Sequence, residues 1–246
     1  MFDINIHSLK LIIDIGNTRS KVALFEGQNI FSQCSINDLN LKGIQEFVKN
    51  HNITNTIISS VKDFNSQILA ISDYYDALIL SDKTCIPIYN NYKNHDTLGK
   101  DRLAAVVGAN YLYPRRDIIV FDLGTCLTID IISKKGEYIG GRISPGILMR
   151  YQSLHTFTHK LPLVKNEKRT SMFGDDTKTS ILSGVQQGIL AEIKLVLSDY
   201  RLHKPDAIAI ITGGDCFFFE KELKNSIFAH PNLILFGLNT ILDFNE

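Results

Sequence analysis

The sequence predicts an α/β protein made of two similar lobes. Short apolar, β-branched segments alternate with segments whose apolar residues recur at helical spacing, which is the pattern of sheets flanked by helices. The order apolar strand, Asp-x-Gly, Thr and second strand occurs twice, around Asp14 and around Asp122, which are 122 − 14 = 108 residues apart. We therefore expect two lobes, residues 1–115 and 116–246, each a mixed sheet flanked by helices, with the active site in the cleft between them.

The first lobe is expected to begin with a β-hairpin between Leu9 and Phe31, because two apolar segments flank the turn sequence GNTR. Apolar residues then recur at helical spacing up to Val48, and NTIISSV and DALILS predict two buried strands with a helix between them. A further helix is expected from Leu98 to Tyr113, since Pro114 cannot continue it.

The second lobe repeats this order. IIVFDLG, TCLTIDIIS and EYIGGRIS predict three strands, followed by a helix after Pro145 and a long helix near Thr177–Tyr200. DAIAIITGG and NLILFGL predict two more strands. No Gly/Ser-rich or Pro-rich linker separates the lobes, so we expect them to pack together.

The composition excludes several classes of protein. The 26 basic and 26 acidic side chains cancel without a block of like charge, so neither nucleic acid nor an anionic membrane is an expected partner. Asp3 and His7 interrupt the N-terminal apolar stretch, which argues against a signal peptide or a membrane helix. The four cysteines are widely separated and form no C-x-x-C pair, so we expect reduced thiols and a cytoplasmic location.

The turn Asp14–Lys21, D-I-G-N-T-R-S-K, has the residue types that bind a nucleotide phosphate. Gly16 lets the backbone approach closely, the hydroxyl and amide side chains that follow offer hydrogen bonds, and Lys21 offsets phosphate charge. Asp14 can hold Mg²⁺ directly or through water. Taken alone, the motif is equally consistent with a plain turn that carries a solvated lysine.

A second turn of the same kind, Asp122-Leu123-Gly124-Thr125, makes a chance match less probable. The actin-like/sugar-kinase superfamily clamps the phosphates of ATP between two such loops. The chain lacks the G-x-x-x-x-G-K-[ST] phosphate loop and the protein-kinase motifs, so binding of ATP requires another solution. A third Gly-rich turn, residues 212–215, resembles the adenosine-side loop of the same superfamily.

The segment Gly99-Lys100-Asp101-Arg102 opens a predicted helix and supplies an acid and a base together. Asp101 can accept the proton of an attacking alcohol, and Arg102 can grip a carboxylate with two parallel donors. An acidic residue favoured by the helix dipole beside a surface arginine is the alternative interpretation of this pair alone.

Six elements occur in one order: D-I-G-N-T-R-S-K, Tyr92 seven residues before G-K-D-R, D-L-G-T, G-G-R-I-S-P-G, L-P and D-T-x-x-S-I-x-S-G. In these elements the stretch from Leu11 to Gly214 resembles the type III pantothenate kinases, whose lobes are ribonuclease H-like, as in actin. One departure is Cys126, where alanine is usual after D-x-G-T. A small buried thiol behaves as a small hydrophobe, so little consequence is expected.

The resemblance implies transfer of the γ-phosphoryl group of ATP to pantothenate, which gives 4′-phosphopantothenate and ADP on the way to coenzyme A. The implied ATP-binding residues are Asp14, Ile15, Gly16, Asn17, Thr18, Arg19, Ser20, Lys21 and Thr125. The implied pantothenate-binding residues are Tyr92, Gly99, Lys100, Asp101, Arg102 and Thr177, with Asp101 as the general base.

The resemblance also implies a monovalent cation, K⁺ or NH₄⁺, on Asp122, in addition to the Mg²⁺ that accompanies ATP near Asp14. It implies a homodimer in which Thr177 completes the pantothenate site of the neighbouring chain. The alternatives are a kinase of another small alcohol such as a sugar, a non-catalytic actin-like regulator and a filament-forming ATPase.

Overall fold

The computed structural model describes residues 8–49, 51–167, 170–223 and 227–246. Asp3 and His7, which bear on the signal-peptide question, lie outside these ranges. By its internal contacts the chain divides into two compact units, Met1–Pro114 with Leu233–Glu246, and Arg115–Asn232.

In chain order the main elements are β1 (Ser8–Ile15), β2 (Ser20–Glu26), β3 (Asn29–Ile36), α1 (Leu41–Val48), β4 (Asn52–Ser60), α2 (Ser66–Tyr75), β5 (Leu78–Ile79), β6 (Tyr89–Asn90), α3 (Lys100–Leu112), β7 (Ile118–Leu123), β8 (Cys126–Ile132), β9 (Glu137–Pro145), α4 (Ile147–Thr156), α5 (Thr177–His203), β10 (Ile208–Thr212), α6 (Cys216–Leu223), β11 (Phe228–Ala229) and α7 (Leu233–Phe244). A short 3-10 helix, His95–Thr97, precedes α3.

The first unit is built on a sheet with strand order β3-β2-β1-β4-β5. β1 pairs antiparallel with β2 and parallel with β4, so the central strand is hydrogen-bonded on both sides. One face of the sheet, including Leu11, Ile13 and Ile58, packs with Ile44 of α1 and Ile71 of α2 in a single apolar cluster. Both α3 and α7 pack on β4, and α7 also packs on β1.

In the second unit the strands follow the order β11-β10-β7-β8-β9. β7 pairs parallel with β10 and antiparallel with β8, as β1 pairs with β4 and β2 in the first unit. The long helix α5 covers one face, where Ile189 and Ile193 pack with Phe121 of β7 and Ile129 of β8.

The helix α5 begins with a capping box, in which the Asp176 side chain accepts a hydrogen bond from the Thr179 N–H at 2.6 Å. By length and composition α5 also satisfies the criteria for a membrane-spanning helix, but 56% of its most apolar stretch is buried. Its buried residues belong to the core of the unit, which accounts for the apolar composition.

Two predictions about secondary structure need correction. The hairpin continues into a third strand, β3, which the sequence analysis did not assign. The predicted last strand, NLILFGL, is wrong, because Leu233–Phe244 forms the helix α7. A short run that is apolar on all sides does not distinguish a buried strand from a buried helix by its periodicity.

Helix α7 packs with the first unit, although the sequence analysis grouped residues 233–246 with the second lobe. Lys10 of β1 forms an ion pair with Asp243, and the Gln28 side chain donates a hydrogen bond to the same carboxylate at 2.5 Å. The rings of Phe25 and Phe236 meet edge to face, with their centroids 5.6 Å apart. These contacts join helix α7 to the β1–β2 hairpin and the turn that follows it.

Candidate active site

A row of three polar side chains crosses the sheet of the first unit near the end of β1. Asp14 of β1 is in register with Lys21 of β2 on one side and with Ser59 of β4 on the other. Residues that are paired in register on neighbouring strands project from the same face of the sheet. We call Lys21, Asp14 and Ser59 the polar row.

Asp14 is a buried carboxyl group in an unfavourable electrostatic setting. Burial, with the charge of Asp101 as a second cause, raises the pKa of Asp14 to about 7, and Lys21 acts in the opposite direction. Within the described part of the chain, the Asp14 Oδ1 atom has no hydrogen-bond partner. Asp14 is therefore available to a ligand that favours its charged form, such as a cation.

Replacing Asp14 with Asn is expected to stabilise the metal-free, ligand-free protein above pH 7. Below the ordinary pKa of 3.8 the carboxyl is protonated in the folded and unfolded states alike. Between pH 3.8 and about 7 the unfolded chain has lost this proton while the folded state still holds it, so the stability of the folded protein falls across this range. Above about pH 7 the loss levels off, because the folded state then buries the charged carboxylate. Asn has no such charge.

The expected gain at pH 8 is a few kcal/mol, since a tenfold change in proton affinity corresponds to about 1.4 kcal/mol. It should be measured as the difference in the free energy of unfolding between wild type and Asp14→Asn, in EDTA, from pH 4 to pH 8. The difference should shrink toward pH 4. A difference that stays constant over this range would contradict the burial of an ionisable Asp14, and Asp96→Asn, in the short 3-10 helix, is the control.

The turn after Asp14 brings the backbone together tightly. The Gly16 N–H donates a hydrogen bond to the Arg19 carbonyl oxygen at 3.1 Å. A Cβ on Gly16 would lie only 3.0 Å from that same oxygen, so a larger residue would strain the turn. Asn17, Thr18 and Arg19 are exposed, which leaves the turn open to a ligand.

The N-terminal turn of α3 holds Asp101 and Arg102. The Asp101 Oδ1 atom accepts a hydrogen bond from the Arg102 backbone N–H at 2.8 Å. A Cβ on Gly99, the residue before the helix, would lie 2.6 Å from that Oδ1 atom, so glycine leaves the space that the carboxylate occupies. The positive end of the helix dipole attracts a negatively charged group at this position.

Arg102 is only 5% exposed, and its guanidinium carbon lies 5.5 Å from the centroid of the Tyr92 ring. At this distance the cation is attracted by the electrons of the ring, which limits the orientations of the guanidinium group. Tyr92 is held in turn, because its backbone N–H donates to the Asn90 side chain at 3.0 Å. The structure thus brings together Tyr92 and Arg102, which the sequence analysis assigned to one substrate.

In the second unit the glycine-containing turn after β10 packs against the end of β7, which holds Asp122. Asp122 is in register with Thr212 at the ends of β7 and β10, and the Asp215 N–H donates to the Leu123 carbonyl oxygen at 3.0 Å. Gly213 has a φ of +90°, and a Cβ there would overlap the Asp122 carboxylate and the Leu123 carbonyl oxygen. Only glycine fits this cradle of oxygen atoms.

Thr125 lies in the turn between β7 and β8. The Gly146 N–H donates to the Thr125 carbonyl oxygen at 3.1 Å. A Cβ on Gly146 would overlap the carbonyl oxygens of Gly124 and Thr125. The motif G-G-R-I-S-P-G therefore contributes a glycine that packs closely against the turn at Gly124 and Thr125, a role that was not predicted from the sequence.

Thr177 is the first residue of α5 and lines a cavity of about 880 Å³ in the second unit. Leu154, Leu161 and Ile181 form apolar parts of its wall, and Asp175 and Arg150 contribute charges. Its lining, within the described residues, includes no member of the turns around Asp122. Thr177 thus belongs to a different part of this unit from Asp122 and Thr125.

The predicted site residues are distributed over the two units. Asp14–Lys21, Tyr92 and Gly99–Arg102 belong to the first unit, and Asp122, Thr125 and Thr177 to the second. Ser59 is the residue of the first unit's site that the sequence analysis missed. Its only signal in the sequence is a polar side chain inside an apolar strand, in the run NTIISSV.

Comparisons with known proteins identify the family of the chain. The type III pantothenate kinase family matches residues 10–199. A type III pantothenate kinase of Bacteroides fragilis (strain YCH46) is 40% identical over 240 residues, which cover 97% of this chain and 99% of the relative.

Solved structures with low sequence identity share the fold. A Baf family protein from Campylobacter jejuni superposes with a TM-score of 0.63 at 23% identity, over 96% of this chain and 98% of the other. An inorganic polyphosphate/ATP-glucomannokinase from Arthrobacter sp. strain KM gives a TM-score of 0.50 at 12% identity, over 97% and 100% of the two chains. These likenesses bear on the fold alone, which is that of the actin-like ATPases and sugar kinases, as the sequence predicted.

The family match covers most of the chain, and a relative with this activity in its name is 40% identical over nearly all of it. The chain belongs to the type III pantothenate kinase family.

Proposed function

We propose that this ATP-dependent pantothenate kinase uses Asp101 as its general base, beside a phosphate and metal site at Asp14 and Lys21. The reaction of the family belongs to coenzyme A biosynthesis. One observation carries the assignment of roles: the charge of Asp101, on the first turn of α3, acts on Asp14, which is in register with Lys21. The proposed general base, Asp101, the proposed metal ligand, Asp14, and the cationic Lys21 all belong to the first unit.

Asp101 would take the proton of the pantothenate hydroxyl as that oxygen attacks the γ-phosphorus of ATP. Arg102 would hold the pantothenate carboxylate, and its buried position against the Tyr92 ring supports a fixed orientation. Gly99 and Lys100 would contact the substrate at the start of the helix. Phosphoryl transfer depends mainly on positioning and charge neutralisation, and these residues supply both.

The residues Asp14–Lys21 and Thr125 would bind the phosphates of ATP. Asp14 would hold Mg²⁺ directly or through water, and its buried Oδ1 atom, which has no partner in the described residues, fits a cation. When bound, the ion offsets the negative charge of the phosphates. Lys21, in register with Asp14, would offset further negative charge on the same phosphates.

Asp122 would hold the monovalent cation, K⁺ or NH₄⁺. The Asp122 carboxylate and the Leu123 carbonyl oxygen both lie next to Gly213, each 2.4 Å from where its Cβ would be. Oxygen atoms of this kind suit a hard cation.

Thr177 would serve the pantothenate site of a second copy of the chain in a homodimer. Exposed apolar side chains adjoin the cavity-lining residues in sequence: Phe157 is 85% exposed, Met172 64% and Phe173 81%. Exposed apolar side chains are typical of protein interfaces where they form a continuous patch. The four cysteines are free thiols, which supports a cytoplasmic location for this kinase.

An assay of ADP release tests the substrate and the monovalent cation together. We expect release with pantothenate but not with a panel of sugars and polyols, and a much higher rate in KCl than in NaCl. Asp122→Asn should remove the difference between the two salts. Release of ADP with a sugar but not with pantothenate would contradict the substrate, and equal wild-type rates in both salts would contradict the cation site.

A further inference from the structure

Ser59 is a buried hydroxyl at the end of the polar row. The residue is fully buried, and the Asp14 beside it is only 7% exposed. In the described ranges of the chain, neither the Ser59 Oγ atom nor the Asp14 Oδ1 atom has a hydrogen-bond partner. Buried polar groups without partners are unfavourable and uncommon, so two of them in register on adjacent strands call for a common explanation.

The geometry favours a link between the two side chains. Neighbouring strands lie about 4.8 Å apart, so the Cβ atoms of residues in register on β1 and β4 are separated by about 5 Å. Within the described residues neither the Ser59 Oγ atom nor the Asp14 Oδ1 atom forms a direct hydrogen bond at this separation, so one bridging water can link the two side chains. On its other side, Asp14 is in register with Lys21, so Ser59 is the neutral donor of the row.

We infer that Ser59 is a positioning residue, whose hydroxyl donates, through one water, to the Asp14 carboxylate and orients it toward the metal-bound phosphates of ATP. This inference rests on the proposed role of Asp14. A donor at Ser59 limits the orientations of the carboxylate, as hydrogen bonds to metal-binding side chains commonly do. The hydroxyl compensates in part for the loss of water around Asp14.

Thr56, on the same strand, offers a matched comparison. Its Oγ1 atom is also buried and without a partner within the residues that the structure describes. It is in register with Leu11 of β1, whose side chain packs in the cluster with α1 and α2. Thr56 therefore faces away from Asp14, and loss of its hydroxyl tests the effect of such a group on folding alone.

A double-mutant cycle tests the inference with Asp14→Asn, Ser59→Ala and the combined variant. Ser59→Ala is expected to lower kcat/KM for ATP about tenfold, the effect of one hydrogen bond to a charged group. In the Asp14→Asn background the same change should cost less than about twofold, because the partner of the hydroxyl is gone. Thr56→Val should leave kcat/KM within about twofold of wild type.

Calorimetric binding of ADP, with and without Mg²⁺, gives a readout independent of turnover. We expect Mg²⁺ to increase the affinity for ADP in wild type and in Thr56→Val, and to increase it less in Ser59→Ala. Equal costs of Ser59→Ala in both backgrounds, or an unchanged Mg²⁺ effect, would overturn the role of Ser59. If Asp14→Asn itself leaves the Mg²⁺ effect and kcat/KM unchanged, the proposed role of Asp14 fails and that of Ser59 with it.

Discussion

Asp101→Asn is expected to lower kcat by a factor of about 10² to 10⁴, because a general base contributes in this range and an amide cannot accept the proton. The change should leave the local structure intact. Asn keeps an Oδ1 atom that can accept the hydrogen bond now donated by the Arg102 N–H at 2.8 Å. The loss should therefore fall on turnover, with KM for pantothenate changed little.

The measurement is steady-state ADP release with pantothenate as the acceptor, together with calorimetric binding of ATP to show that the variant is folded. Asp96→Asn is the matched control, since Asp96 is an exposed acid in the short 3-10 helix just before α3. It should retain wild-type kcat. Full turnover by Asp101→Asn would show that another group, or water, removes the proton.

The sequence predicts the parts of the fold whose signals are local. The alternation of apolar residues around GNTR indicates the β1–β2 hairpin, and Pro114 accounts for the end of α3 nearby. In the same way, the Asp-x-Gly turns at Asp14 and Asp122 are visible because each lies within a few residues of its strands. These turns occupy equivalent positions after β1 and β7.

The features that the sequence does not show depend on pairing between distant segments. The polar row requires the register of β1 against β4, which sets Asp14 beside Ser59. A serine in an apolar strand does not by itself indicate which residue of the neighbouring strand will pair with it. The charge of Asp101 reaches Asp14 only because α3 packs on this sheet, and that contact is likewise non-local.

The wrong assignment of α7 has a related cause. The residues from Leu233 to Leu242 are apolar on several sides because the helix is buried against both α3 and the sheet. Burial on all sides removes the periodic pattern that separates a helix from a strand. The tertiary contacts that decide its structure lie more than a hundred residues earlier in the chain, in α3.

Helix α7 packs so closely on α3 that glycine is required on both helices. A Cβ on Gly237 would overlap the Ala104 carbonyl oxygen and lie 2.9 Å from the Gly108 nitrogen. A Cβ on Gly108 would overlap the Leu233 carbonyl oxygen. Both obstacles are backbone atoms within helices, which cannot move aside as a flexible side chain does.

Gly237→Ala is therefore expected to destabilise the protein by about 3 kcal/mol, at the upper end of the range for overpacking. For a chain of this size, that corresponds to a fall in Tm of roughly 6–12 °C. Because α3 carries Asp101 and Arg102 on its first turn, displacement of this helix should also lower kcat/KM for pantothenate. Thermal unfolding and steady-state kinetics below the transition measure the two effects.

Gly43→Ala in α1 is the control, since its Cβ would meet only the Asn40 side chain, at an ordinary 3.5 Å. Alanine has a higher helix propensity than glycine, so this variant should be as stable as wild type or slightly more stable. If Gly237→Ala behaved like Gly43→Ala, the two helices would have room to separate without cost. The position of Asp101 would then depend on the sheet and on Gly99, and not on the packing of α7 against α3.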